Sequence, residues 1–483
     1  MIAHRRSRRG TRAEGLEGPS TETGPIGPVA LSAFLLLMVL SPLMRGGNRQ
    51  VALIVLEATA LLFLVAFAAR LDRVNAPRGV QRILLLFLLA SPLWLALVYL
   101  LPLPAASWAS LAGRSGYLQM LSAAGIPQPD FLALSLAPDA TRVSLLAATP
   151  LLAAFAAGFA ASPDQLRLVL RVLLAMALFQ IVIGLLQAGS GRDAALNFGA
   201  AGGRPFGTFA NPNHLANYLA MALAGYVWLA WLKVTRHRAS AAAHHRHSRG
   251  RMLALWIAGA VLLVVGILMT RSRGAAFAGL PAAVLATVVV LWLGSRLRSV
   301  RAVLLLVGGA ILVGIALVGY ELLAARFDVD RMAIDAPSRL IQAATTMEGA
   351  LQLWPWGSGW GTYYEVYPRF QPAALVGTAD YAHHDYAQML FEGGIFAVLL
   401  MLAFAWLAIA RLLELTRIAR REGRFRREEM ASALCGLGLL GFLLHSFVEF
   451  NMHIPANAIV ACLLAGVYLR PLPQREAEDP ADD

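Results

Sequence analysis

Apolar runs recur along the whole chain, most of them close to the length that crosses a bilayer. A hydrocarbon core of about 30 Å takes about 20 apolar residues per helix. By that measure the pattern predicts twelve spans, at 27–44, 51–69, 83–101, 143–161, 168–188, 214–232, 252–270, 274–293, 302–319, 387–410, 430–448 and 454–469. The last is short, so it is either tilted, re-entrant or extended backwards through Asn451 and His453. The expected architecture is all-α, a polytopic membrane helical bundle of about 12 transmembrane helices. Its longest polar interval, Tyr320 to Tyr386, forms one large periplasmic loop that carries the chemistry. The chain then divides into a basic tail (1–26), the first part of the bundle (27–319), the loop (320–386), the last part of the bundle (387–469) and a C-terminal tail (470–483).

Composition agrees with the pattern. Of 483 residues 58% are hydrophobic and 14% charged, with a mean hydropathy of +0.63, far from a soluble protein's balance. Arg5, Arg6, Arg8, Arg9 and Arg12 lead through a Gly/Pro-rich stretch into a run of full spanning length, which predicts a retained first span rather than a cleaved signal. Of the 41 Lys and Arg, 29 fall in alternate intervals, notably Lys233 to Arg251 and the seven arginines from Arg411 to Arg427. The positive-inside rule therefore puts both termini in the cytoplasm and the large loop outside. The net charge of +13 is explained by this topology and points to no nucleic acid. His244, His245 and His247 lie in a basic interval and read as a solvated tract. Cys435 and Cys462 sit inside apolar runs and read as small core residues, and no metal cluster is legible.

The candidate chemistry lies in the outward intervals. Arg204, Arg271, Arg273 and Arg339 place positive charge where the orientation rule disfavours it. Guanidinium forks match phosphate oxygens, so several converging on one point would hold a pyrophosphate, whereas each alone also fits a side chain reaching for lipid headgroups. Gly203-Arg204-Pro205-Phe206-Gly207 combines turn formers with an arginine just ahead of a span. Asn211 and Asn213 are placed to cap that span near His214, where a helix N-terminus would also attract phosphate. His383 is the acid/base candidate: an imidazole, with an ordinary pKa of about 6.5, takes a proton from a hydroxyl near neutral pH. It stands beside Asp385, with Glu392 further on. Trp354, Trp356 and Trp360 have two readings, stacking on sugar faces or anchoring at the membrane interface. Within the spans, Glu57 reads as facing the bundle interior, and Gln180 and Gln187 as interhelical hydrogen bonders.

Taken in order, these segments resemble the O-antigen ligase and O-antigen polymerase family of bacterial membrane glycosyltransferases. The resemblance is carried by Gly203 to Phe209 with Asn211 and Asn213, by Thr270-Arg271-Ser272-Arg273-Gly274, and by Arg339 upstream of Gly357-Ser358-Gly359-Trp360-Gly361. It continues through Ala382-His383-His384-Asp385-Tyr386 with Glu392-Gly393-Gly394, then His445 to Asn451 and Ile454 to Asn457. It implies transfer, without metal or cofactor, of a glycan from undecaprenyl pyrophosphate to an acceptor hydroxyl at the outer face of the inner membrane. The partners implied are the lipid-linked glycan, a lipid A core or other glycan acceptor, and the bilayer. Position by position, Arg204, Arg273 and Arg339 fall where the family has its pyrophosphate-binding arginines, and His383 where it has its essential histidine. His384 stands where asparagine is usual and Glu449 where aspartate is usual. The resemblance admits lipid A core, a second repeat unit or a protein side chain as acceptor. From a different class, twelve spans with both ends inside also describes many secondary transporters. Clustering of the polar residues outside rather than at mid-membrane favours surface chemistry.

Overall fold

The computed structural model describes residues 24–190, 195–198, 204–209, 211–239, 246–293 and 329–473. The expected span 302–319 and most of both tails lie outside them. The described chain is mostly helical: α1 (Pro28–Leu43), α2 (Gln50–Ala68), α3 (Gly79–Leu89), α4 (Ser91–Leu100), the short α5 (Ala105–Ala109) and α6 (Ser115–Ala123), α7 (Pro138–Leu146), α8 (Thr149–Ala160), α9 (Pro163–Gly189), α10 (Pro212–Ala239), α11 (Arg246–Met269) and α12 (Leu280–Leu293). After the gap come α13 (Val329–Gln352), the single turn α14 (Tyr363–Val366), α15 (Asp385–Glu422), α16 (Arg427–His445) and α17 (Pro455–Leu469). Among the described residues the only sheet is a two-stranded antiparallel ribbon of Pro102–Pro104 against Phe131–Ala133.

By length and composition five helical stretches are able to cross a membrane: Gln50–Ala68, Pro138–Ala160, Pro163–Gly189, Pro212–Lys233 and Asp385–Glu422. The pair α3 and α4, bent by 54°, makes a sixth if it is one span. Four shorter apolar helices, Pro28–Leu43, Ala254–Met269, Ala275–Val290 and Pro455–Leu469, fall where further spans were expected. Several expected runs are thus interrupted rather than continuous. The 83–101 run breaks at Ala90, where Pro92 starts a new helix, because proline suits a first turn but not a helix interior. The 274–293 run begins as a π-turn, Ala275–Gly279.

Small residues set the closest contacts. Gly158 on α8 lies against Leu463 on α17, and Gly466 on α17 against Phe155 on α8. A β-carbon at either would stand 2.1 or 2.3 Å from the facing carbonyl oxygen, so only glycine allows this crossing. The same pair of helices joins α1, α2, α9, α10 and α16 in one apolar core. Start signals act as the sequence dictates at α9: Ser162 and Gln165 form a reciprocal capping box ahead of a long apolar helix. Gln180 and Gln187 do not bridge helices, as had been expected. They hold the loop before α10 instead. Gln187 accepts from the backbone N–H groups of Phe206 (3.0 Å) and Gly207 (2.9 Å), and Gln180 accepts from Thr208 N–H at 2.7 Å. Glu57 is half-buried on α2. Cys435 and Cys462 are free thiols.

Candidate functional site

The site is organised around a carboxylate. Glu449 lies in the segment joining α16 to α17 and is 1% exposed. An ionised carboxyl survives there only with several donors. Arg339, on α13, donates from Nη1 to Oε1 at 2.8 Å, and also reaches the Val448 carbonyl at 3.4 Å. Asn213, in the first turn of α10, donates its amide to the same oxygen. His383, just ahead of α15, sets Nδ1 3.4 Å from Oε2. Burial by itself would raise the Glu449 pKa, but the His383 hydrogen bond and the Arg339, His214 and His383 charges hold it well below the usual carboxylate range. Two helices and the segment ahead of a third, remote in sequence, therefore converge on one buried carboxylate.

The two adjacent histidines have different duties. His383 has φ +52°, a left-handed conformation that β-carbon-bearing residues rarely adopt and that clusters at functional positions. With Nδ1–H turned to Glu449, Nε2 is left as the acceptor, the arrangement of a histidine oriented by a carboxylate to act as a base. His384 instead caps α15: its Nδ1 accepts from Ala387 N–H at 3.2 Å. Asparagine, the residue that the resemblance gives at this position, is likewise among the best N-caps. Burial pushes the His384 pKa down, in keeping with a neutral ring whose Nδ1 lone pair is engaged.

Asp385, the carboxylate beside them in sequence, does not meet His383. It faces the other way and takes Met452 N–H at 2.9 Å and His453 Nδ1 at 2.8 Å, while its own N–H donates to Ser446 O. In this way it staples the segment that carries Glu449 to the start of α15. The staple continues through Gln388, which sits 3.1 Å from both His453 Nε2 and Glu392 Oε1. Glu392 then accepts from Gly361 N–H and Tyr363 N–H. A ring wall completes the hub: Phe450 stacks on Tyr381 at 4.5 Å and meets His383 and His214 edge-on at 4.8 and 4.6 Å.

The glycine-rich segment serves as scaffold. α15 is broken at Gly394 (φ +49°, ψ −129°), and residues 355–359 fill the break. Ser358 and Gly359 donate to the carbonyls of Phe391 and Glu392, and Ile395 donates to Pro355 O. A β-carbon on Gly357 would lie 2.3 Å from Glu392 O. Tyr99 Oη lies 2.9 to 3.2 Å from the Trp356, Glu392 and Gly393 carbonyls, and buried Arg114 donates to Gly357 O and Leu134 O. Burial pushes the Arg114 guanidinium down to about 10. Trp360 packs over Gly393 on this side and is not brought to Glu449.

The remaining expected residues lie in three other segments. Asn211 caps α10, its Oδ1 taking Asn213 N–H at 2.9 Å. Arg204 is half-buried at the start of the glutamine-held loop. Arg271 (φ +54°, exposed) and Arg273 (half-buried) lie in a turn whose Gly274 packs against His445, four residues before Glu449. Glu449 itself was noted in the sequence only as a departure within the resemblance, and its hub role was not foreseen. Its one signal is a carboxylate in an interval between two apolar runs. Among the described residues no group of three or more His, Cys, Asp and Glu is arranged to hold a metal ion.

Residues 258–402 match a family model described as O-Antigen ligase, a stretch that includes Arg271, Arg273, Arg339 and His383 but neither Arg204 nor Glu449. No curated protein matches the chain. Across residues 258–402 the chain is therefore similar to the O-antigen ligase family.

Proposed function

We propose that this chain is an inner-membrane glycosyltransferase of O-antigen ligase type, moving a glycan from undecaprenyl pyrophosphate to an acceptor hydroxyl at the periplasmic face. The acceptor is lipid A core or a second repeat unit. The topology that goes with it is twelve spans with both termini cytoplasmic. The observation that carries the reading is the Arg339–Glu449–His383 constellation, with Asn213 on the same carboxylate.

The chemistry follows from which atoms are free. His383 Nε2 takes the proton of the acceptor hydroxyl as its oxygen attacks the anomeric carbon, and the bond from that carbon to the pyrophosphate oxygen breaks. Glu449 stabilises the resulting imidazolium and keeps Nδ1–H turned inward. Charge growing on the departing pyrophosphate is met by Arg339, Arg204 and Arg273, which keep their charge at any physiological pH. Arg339 makes both contacts possible: Nη1 is tied to Glu449, while its side chain is 39% exposed. No step calls for a metal ion. The position of His383 and Glu449 in segments between helices, not within an apolar helix, supports surface transfer over a mid-membrane transport site.

The test is reconstitution of the purified protein in bilayers with an undecaprenyl-pyrophosphate-linked glycan and a panel of hydroxyl acceptors. Glycosylated acceptor and free undecaprenyl pyrophosphate should appear together. Donor translocation without any transferred product would sink the reading in favour of transport.

A further inference from the structure

We infer that Arg45, in the turn between α1 and α2, is a further anion-binding side chain of this site, taking a phosphate oxygen of the lipid-linked donor; this rests on the donor reading above. Arg45, Gly46 and Gly47 occupy three successive left-handed positions, with φ of +61°, +70° and +83°. Glycine does this freely, whereas an arginine is strained there. Among the described residues the other non-glycine positions of this kind are Phe198, Arg271 and His383. His383 is on the Glu449 hub, and Arg271 lies in the turn whose Gly274 packs against His445. Retaining arginine where the fold would prefer glycine calls for a use of the side chain.

The turn is wedged among the loops that build the site. The β-position of Gly46 lies 3.0 Å from Phe209 and 3.3 Å from Ile454, and that of Gly47 lies 2.6 Å from Pro455. Thr208 Oγ1 donates to the Pro42 carbonyl at 2.6 Å. Tyr381 Oη donates to Asn48 Oδ1 at 3.2 Å, and the Tyr381 ring stacks on the same Phe450 that His383 meets edge-on. Arg45 thus stands between the loop that follows Arg204 and the segment that carries Glu449. It is half-buried, yet its guanidinium makes no ion pair or hydrogen bond to the described residues. A half-buried cation left without a protein carboxylate suits an anionic ligand, and a guanidinium fork suits phosphate in particular. Two sources offer that chemistry, the donor's pyrophosphate and the headgroup of a bilayer phospholipid.

The strain itself supplies a clean variant. Arg45→Gly removes the guanidinium and relieves the backbone, so the fold should be kept and its thermal midpoint unchanged or raised. Arg45→Asn, whose side chain tolerates the left-handed region, is the second variant should the first express poorly. Binding of undecaprenyl pyrophosphate would be measured on the full-length protein in nanodiscs, with and without phosphatidylglycerol. Both variants should bind about tenfold or more weakly, the loss of one charge-assisted hydrogen bond, in both lipid compositions. Arg49→Ala, an exposed arginine on the same turn, should bind as wild type. Wild-type affinity in Arg45→Gly overturns the inference and leaves the donor reading intact. A loss seen only with phosphatidylglycerol, or equally in Arg49→Ala, assigns Arg45 to headgroups and also overturns it. Absence of binding by the wild type overturns the donor reading, and this inference with it.

Discussion

Replacing Glu449 by glutamine keeps the shape of the hub and removes its charge. The cost falls on the step in which His383 becomes an imidazolium, because Glu449 Oε2 lies 3.4 Å from His383 Nδ1. Two unit charges at that distance interact by about 5 kcal/mol at an effective dielectric constant of about 20. The His383 side chain is 27% exposed and Arg339 already shares the carboxylate, so about 2 to 3 kcal/mol is the part to expect in the transition state. That corresponds to a kcat lowered about 30- to 150-fold. The amide is also able to turn its NH₂ towards His383 and favour the wrong tautomer, which adds to the loss and not to the gain. The assay is single-turnover transfer by reconstituted protein at saturating donor, with folding followed by thermal unfolding. A Glu449→Gln enzyme that folds and turns over within a factor of three of wild type would refute the claim that this carboxylate orients and stabilises the base.

Three further outcomes are expected. Arg339→Ala should abolish transfer and Arg339→Lys should recover little of it, because an ammonium lacks the fork that holds Glu449 and would leave a second prong for a phosphate oxygen; full activity in the lysine variant would reduce Arg339 to a point charge. The folded-state pKa of His384 is lowered, so the stability it contributes as a neutral cap is fully present above the ordinary histidine value of about 6.5 and is lost as pH falls through the folded value. His384→Asn keeps the cap without the titration, and should stay active with thermal stability that declines less between pH 7.5 and 5; an unchanged acid profile would show that the cap does not titrate. Gly357→Ala forces a β-carbon to 2.3 Å from Glu392 O at φ +70°, and should lower stability by about 3 kcal/mol or more, read as a fallen thermal midpoint, whereas Trp354→Ala, at an exposed position, should cost little.

The helical class and the position of most apolar runs were legible because length and hydropathy are local properties of the sequence. Breaks within the runs were less so. The interruption of α15 at Gly394 depends on residues 355–359 arriving to satisfy the freed backbone groups, a tertiary event that no window of sequence reports. Arg339 and His383 were singled out by charge out of place and by chemistry. Their shared partner was not, since Glu449 lies 66 residues from His383 and 110 from Arg339. Sequence proximity pointed to Asp385 instead, which proves to be the staple. Trp360 illustrates the same limit: its residue type fits a sugar platform or an anchor at the membrane interface equally well, and only the fold shows that it packs over Gly393. Gln180 and Gln187 were correctly placed on one helix face but bond to a loop, because the backbone N–H groups of that loop are the donors that most need partners.

The central claim is that His383, held by Glu449, activates the acceptor hydroxyl, and one comparison tests it most directly: donor binding and glycan transfer measured side by side in His383→Ala and His384→Ala. The account expects His383→Ala to fold, to bind undecaprenyl pyrophosphate as wild type does, and to transfer nothing, while His384→Ala transfers at a reduced but measurable rate set by its weakened cap. Transfer by His383→Ala at the wild-type rate, or a dead His384→Ala beside an active His383→Ala, would contradict it.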